Sequence, residues 1–419
     1  MTTAQAVGQP AARRISLGSL AWILVLLVAM AAGFAAWVYQ LNEGLQVTDM
    51  RDNVMWGLYI VTFMFFVGLS AGGLIIASAG RLFGVTRFKP IVRLAVLEAT
   101  VAVIAAASFI LPDLGHPERL LNLVIYAHIT SPMIWDITVI TIYLVLSLLY
   151  VWLYTRRDLA ARGSWMALGT KDTSAEARAR DDRLTWRLAW IALPAAVLVH
   201  SVTAWIFGLQ ISRGFWYTAI MAPLFISSAL VSGLALVTMI ALVLRRAGRV
   251  SFGDDLAEFL GGLLGTFLAV EAFLVFCEVL SGYYPGVQSD AVREIMGGPY
   301  SGLFAFEVVV GLVVPFLMLA FRSLRRRTWV VWVAAVLALV GIFAHRLGIV
   351  LVGLHEAPIQ YGPGTAIGIP FDNGTSFATT STYFPTGIEW LIVIGLVAFA
   401  ALLLTIGAIV LPLRNGDAS

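Results

Sequence analysis

Ten separate stretches of this chain are apolar and long enough to cross a bilayer, and that pattern decides the fold class before any motif is considered. They run over about 17–39, 54–79, 91–112, 134–154, 188–209, 216–244, 257–280, 303–321, 329–354 and 386–413. A hydrocarbon layer of roughly 30 Å takes about 20 helical residues to span, and a backbone inside it must satisfy its own hydrogen bonds. The sequence therefore predicts an all-α integral membrane protein with ten transmembrane helices. Only 12% of the 419 residues are charged, where a soluble domain carries about a quarter. The first run follows Arg13 and Arg14 as a secretion signal would, but it exceeds the ~7 to 15 apolar residues of such a signal and is expected to stay as helix 1. Residues 17–413 then form one membrane domain, with short tails at 1–16 and 414–419.

The charges orient these spans. Of the 27 Lys and Arg, 22 fall in alternate connections, the largest group between Arg156 and Arg187. The other end holds five: Arg51, Arg119, Arg213, Arg293 and Arg346. By the positive-inside rule the cation-rich end and both termini are cytoplasmic. A net charge of +3 gives no reason to expect nucleic acid. The segment from Arg156 to Arg187 reads as a surface loop with one short helix. The outer loops, including 361–387, are apolar and aromatic and suit a partner's surface or the lipid headgroup layer. The single cysteine, Cys277, excludes an internal disulfide and any C-x-x-C cluster motif, and its apolar neighbours predict a buried thiol.

Helices 2–5 and 6–9 share a pattern. Helix 4 opens SPMIWD and helix 8 opens SGLFAFE, each with an acid early, and helices 5 and 9 carry His200 and His345 in their outer halves. Elements four helices apart keep their orientation, so this is the pattern of a parallel repeat. Two four-helix bundles plus two peripheral helices would follow.

An ionisable group at the centre of a span costs roughly 2.5–3.5 kcal/mol on insertion scales, so each one asks for a partner or a task. Asp136, Glu278, Glu307 and Glu389 gather toward the outer side, with Glu98 and Glu271 deeper. Glu307 and Glu389 lie near the surface and read most simply as structural groups. Glu271 and Glu278 are seven residues apart and share a helix face. Glu98, Glu271 and Glu278 are therefore the candidates for a proton route. The connection LPDLGHPERLLNLVIYAHITSPMIWD brings Asp113, His116, Glu118 and Arg119 into one turn and returns Asp136 in the next helix. A histidine with a nearby carboxylate can take up and pass on protons near neutral pH. A turn whose polar groups serve only its own backbone is the alternative, and His128 is assigned to that. GLSAGG in helix 2 is a small-residue face for close helix contact. Five histidines do not supply the paired axial sets of a multihaem cytochrome b, and no Rossmann or P-loop fingerprint is present.

The stretches MWGLYIVTFMFFVGLSAGGLIIASAGRLFG, LGHPERL with SPMIWD, and VHSVTAWIFGLQISRGFWYTAIMAPLFISSALVSGLAL resemble the NrfD-like family, the membrane subunits of polysulfide reductase and related quinone-linked complexes, in their ten-helix form. The resemblance covers helices 2 to 9. It implies a quinone-reactive anchor in a bacterial plasma membrane, without haem or iron-sulfur cluster of its own and without catalysis in isolation. Its substrate would be menaquinone or ubiquinone, its partner an extrinsic iron-sulfur subunit on the outer face, joined by a molybdopterin, multihaem or hydrogenase-type catalytic subunit. The positions that match the family's quinone-flanking histidine and aspartate are His116 and Asp136, with Arg119 beside them. The rival reading is a secondary transporter or a proton-translocating channel subunit without quinone chemistry. Transporters show Gly/Pro interruptions at matched depth in both halves, and Pro194 and Pro223 are not such a pair.

Overall fold

The computed structural model describes residues 17–51, 53–284, 289–355 and 382–413. Ten of its helices are long and apolar enough to cross a membrane. They are α1 (Leu17–Glu43), α2 (Leu58–Leu82), α3 (Val92–Asp113), α4 (Pro132–Ala161), α5 (Ala175–Gly208), α6 (Met221–Arg246), α7 (Asp254–Tyr283), α8 (Ser301–Ala320), α9 (Thr328–His355) and α10 (Gly387–Val410). The expected tails at 1–16 and 414–419 and most of the 361–387 loop lie outside the described residues.

The chain passes back and forth, and side chains at the helix ends show it. Gln40 at the end of α1 donates to the Pro112 carbonyl at the end of α3, 2.8 Å away. At the opposite end Arg81 of α2 meets Asp182 of α5 at 2.6 Å. α2 is the most enclosed span and packs on α3, α5, α6 and α9, while α1 packs chiefly on α10, which rests on α3. The small-residue face of α2 does what its composition predicts: a Cβ on Gly72 would land on the Gly233 backbone of α6, and one on Gly73 on the Ala95 carbonyl of α3. Leu24, Val28, Phe273, Phe276 and Trp390 are among many large apolar side chains left exposed, as lipid contact requires.

Two sequence expectations are corrected. The stretch from Arg156 to Arg187 is mostly helix: α4 runs on to Ala161, one tight turn spans Trp165–Ala167, and α5 begins at Ala175 with the Ser174 hydroxyl accepting from the Ala177 N–H. Polarity marked where the chain leaves the hydrocarbon, but the run AEARARDDRL is built of good helix formers, and the two helices continue beyond the membrane. Asp181 ties them, accepting from Arg156 Nε at 2.9 Å and Arg157 Nε at 2.7 Å. Cys277 is partly exposed rather than fully buried, because its side of α7 faces outward between Phe273 and Leu280.

α8 is not a uniform α-helix. Its α-helical turns at Ser301–Phe306 and Val314–Ala320 flank a π-helical stretch at Glu307–Val313. There a Cβ on Gly311 would strike Gly341 of α9, so the π stretch sits where the two backbones meet. π segments recur at functional sites, and this one begins at a buried carboxylate.

Candidate functional site

The loop between α3 and α4 lies at the cation-poor end. Gly115 turns it with φ +63°, and His116 follows, exposed, its Nδ1 2.9 Å from Glu118 Oε1. A backbone hydrogen bond at Glu118, with smaller help from His116 and Arg119, holds the Glu118 carboxyl below its ordinary range. Arg119 is exposed, as are Leu121, Val124, Ile125, Tyr126 and Ile129, an apolar rim beside the polar turn. His128 pairs only locally, with Thr130 at 2.8 Å.

Asp136 is different in kind. It lies one turn inside α4, is 3% exposed, and meets the Thr203 hydroxyl of α5 at 2.6 Å. That hydroxyl also stands 2.8 Å from the Val199 carbonyl, so one proton faces two acceptors. With Asp136 ionised, Thr203 donates to the carboxylate. With Asp136 protonated, the acid donates to Thr203, which then turns to Val199. Both protonation states of Asp136 are hydrogen-bonded without movement of the backbone. No hydrogen bond or ion pair joins His116 to Asp136 among the described residues: one is at the surface, the other beneath it.

Below Asp136, the same face of α4 carries Tyr143, Ser147 and Tyr150, all buried. Tyr143 donates to the Ser70 carbonyl of α2 at 2.5 Å, and Tyr150 to the Thr185 carbonyl of α5 at 3.1 Å. Glu98 of α3 is 2% exposed, without a hydrogen bond to either oxygen, and within electrostatic reach of Tyr143. Glu98 thus belongs with the α4 column.

Glu271 and Glu278 belong to a second group, between α7, α8 and α9. Here a cleft with about 500 Å³ of atom-free space is lined by Glu278, Tyr300, Glu307 and His345 among apolar side chains. Glu307 Oε1 lies 2.8 Å from His345 Nδ1, both residues buried. Glu271 is wholly buried beneath, near His345, Arg346, Glu307 and the Ser227 hydroxyl, and it makes no ion pair among the described residues. Arg346 is buried too, donating to the Ser228 hydroxyl and stacking 3.8 Å over Phe225, while its Nε and Nη1 have no partner among the described residues. At the rim His355 contacts Glu294 at 3.2 Å and the Tyr300 hydroxyl at 3.2 Å. Sequence reasoning assigns Glu307 a structural role and Arg346 none. The signal was partial: α8 and α9 are antiparallel neighbours with an acid and a histidine in their cation-poor halves, but His345 lies further from its helix end than Glu307 does, so counting residues alone does not pair them.

Glu389, expected near the surface, is fully buried and structural. It completes a capping box with Thr386, accepts from the Asp49 N–H at 3.1 Å, and receives the Tyr383 hydroxyl. Tyr383 in turn accepts from the Leu58 N–H at 2.7 Å, and burial together with Glu389 holds its hydroxyl well above the ordinary phenol range. These bonds pin the start of α10 to the entrance of α2.

The fold and the site define a ten-helix integral membrane protein with a buried carboxylate near one face and a second acid cluster across the bundle. The chain belongs to the family described as polysulphide reductase, NrfD, whose model matches residues 46–356. It is 41% identical over 402 residues, 94% of this chain and 91% of the relative, to a putative dimethyl sulfoxide reductase membrane subunit from Halobacterium salinarum. A selenate reductase subunit from Mesobacillus selenatarsenatis is 27% identical over 413 residues, covering 94% of each chain. The integral membrane subunit of menaquinone reductase from Nitratidesulfovibrio vulgaris is 25% identical over 413 residues, 95% of this chain and 92% of the relative.

Proposed function

We propose that this chain is the quinone-reactive membrane anchor of a multi-subunit oxidoreductase, exchanging electrons between membrane quinol and an extrinsic iron-sulfur subunit on the cation-poor face. The observation that carries the reading is the Asp136–Thr203 pair, a buried acid whose protonated and ionised forms are both accommodated. Oxidation of a quinol releases two electrons and two protons. Asp136 takes one proton at its carboxylate, with Thr203 reversing its hydrogen bond, and exposed His116 takes the other and passes it to water. Arg119 beside them offers positive charge to a reacting oxygen. Electrons leave to the partner, and quinone reduction runs the same groups backward. The relatives named for dimethyl sulfoxide, selenate and menaquinone reductases support a catalytic partner, and the exposed apolar rim around Tyr126 and Ile129 supports its docking there. The cation split supports cytoplasmic termini, and the sources of these relatives support a prokaryotic plasma membrane as the setting.

Glu98 below Asp136, and Glu271 with Glu278 across the bundle, form in this reading two polar columns through which protons travel. Buried polar atoms without partners among the described residues, as at Glu98 and Arg346, are rare in folded proteins and call for water or function, which supports that role.

The test compares His116→Ala and Asp136→Asn in the intact complex. Quinone-coupled turnover should fall by at least 100-fold, roughly the contribution of a positioned proton-transfer group, while turnover with a redox dye that bypasses quinone persists. Unchanged quinone turnover in both variants would remove the site from this loop.

A further inference from the structure

The proposed function leaves the cation-rich end with no ligand, and a built groove lies there. It opens between the last turn of α6 and the first turns of α9, holds about 1030 Å³ of atom-free space, and is lined by Arg245, Arg246, Thr328, Trp329, Trp332 and neighbouring aliphatic side chains. Three features of the groove differ from an ordinary helix end. Its floor is apolar, with Leu242, Val243 and Val333, and Val243 is half exposed. Two tryptophans stand on one wall, Trp329 61% and Trp332 38% exposed, the side chains that settle at the boundary between hydrocarbon and headgroups. The opposite rim carries two adjacent guanidinium groups. Arg245 is partly engaged, 2.7 Å from Asp254 and 5.2 Å over Phe252, whereas Arg246 is exposed and makes no ion pair among the described residues.

The charge around the groove is one-sided. The connections 245–258 and 322–327 bring seven arginines and three acids to this end, and two of the acids are already paired, Asp254 with Arg245 and Glu258 with Arg322. Arginines at the C-terminus of α6 also complement its dipole, but a dipole needs neither the aliphatic floor nor the tryptophan wall. We infer that this groove is a binding site for an anionic phospholipid, its phosphate on Arg245 and Arg246 and its acyl chains along Val243 and Trp332. A zwitterionic lipid fits the floor but leaves the surplus positive charge unmet. An acidic loop of a soluble protein meets the charge but leaves the apolar floor and the tryptophans uncovered. Basic pockets between spans at the cytoplasmic surface have the chemistry for such headgroups.

The experiment uses the full chain, delipidated in detergent and titrated with phosphatidylglycerol, phosphatidylcholine or inorganic phosphate, with bound lipid counted by native mass spectrometry and the unfolding temperature followed in parallel. Phosphatidylglycerol should bind and raise the unfolding temperature, and neither phosphatidylcholine nor phosphate should do so. The double variant R245Q/R246Q should weaken phosphatidylglycerol binding on the order of tenfold or more, as expected for two arginines at an anionic surface. The control R183Q/R187Q makes the same change of charge at the start of α5, on the same end of the molecule, and should leave binding within twofold. If R245Q/R246Q does not fold, R246Q alone serves, since that side chain holds nothing else in place, and should still weaken binding severalfold. Equal losses in the control and the groove variant, equal binding of phosphatidylcholine, or stabilisation by phosphate alone would each overturn the proposal.

Discussion

Glu307 and His345 show how little a single residue reveals until its partner is known. Taken alone, Glu307 is an acid near a helix start, which a structural role explains. Paired at 2.8 Å with a buried histidine, it closes the cleft above Glu271. His345→Ala should strip Glu307 Oε1 of its protein partner and lower stability by about 1–3 kcal/mol. Glu307→Gln retains an oxygen that can accept the same bond and should cost less. Thermal unfolding of the purified chain checks the order, and equal losses would mean that the hydrogen bond is not what the pair contributes. Asp136 was legible from the sequence because its position matches a family pattern. Thr203 was not, since a buried carboxylate's partner depends on how α4 and α5 are rotated against one another, and helical periodicity fixes each face without fixing which faces meet. The same limit hid Tyr143 beside Glu98. His116 lies in the turn between α3 and α4 where the sequence places it, but its exposure separates it from Asp136, and only the depth of each chain position in the fold could show that.

Helices were the most legible level, and the reasons differ along the chain. Ten apolar runs gave ten spans because the hydrocarbon dictates their length. The ends were harder to read: polarity locates the membrane boundary, not the helix boundary, so α4 and α5 extend past it where Ala, Arg and Glu favour helix and Asp181 joins them. The π stretch at Glu307–Val313 left no mark in composition and coincides with the contact of Gly311 with Gly341. Glycines within spans nevertheless separate into two kinds that substitution will distinguish. Gly72 lies against the Gly233 backbone, and neither helix can retreat without disturbing α3 or α9, so Gly72→Ala should destabilise by about 1–3 kcal/mol through overpacking. Gly302, near the start of α8, has open space where a Cβ would stand. Gly302→Ala should be neutral or stabilising by up to about 1 kcal/mol, since glycine is the poorer helix former. Heat stability of the two variants side by side tests the close approach of α2 and α6, and similar behaviour of both would contradict it.

At the scale of the whole molecule, ionisable groups form two columns on different helices. One descends from Asp136 past Tyr143 and Glu98 in α3 and α4, and the other from Glu278, Glu307 and His345 to Glu271 and Arg346 in α7 to α9. The first begins at the proposed quinol site. The second does not, and it opens into the cleft at the cation-poor end. If the chemistry were confined to the first column, nothing would require a carboxylate at 0% exposure on α7, because a glutamate at that depth is too far from the headgroups to snorkel. A structural explanation would give Glu271 a charged partner, yet among the described residues His345 is held by Glu307 and Arg346 by Ser228, and the polar group beside the Glu271 carboxyl is the neutral Ser227 hydroxyl. A side chain so placed can change partners with its charge, and that property suits a proton carrier. Glu271→Gln in the intact complex, reconstituted in sealed vesicles, separates the two roles. A carrier predicts that electron transfer to quinone persists while the membrane potential it generates falls by half or more. A structural group predicts the reverse: coupling intact in whatever protein survives, but a lower unfolding temperature and less assembled complex. Glu98→Gln extends the same measurement to the first column, where loss of quinone turnover itself is expected if protons from Asp136 pass that way.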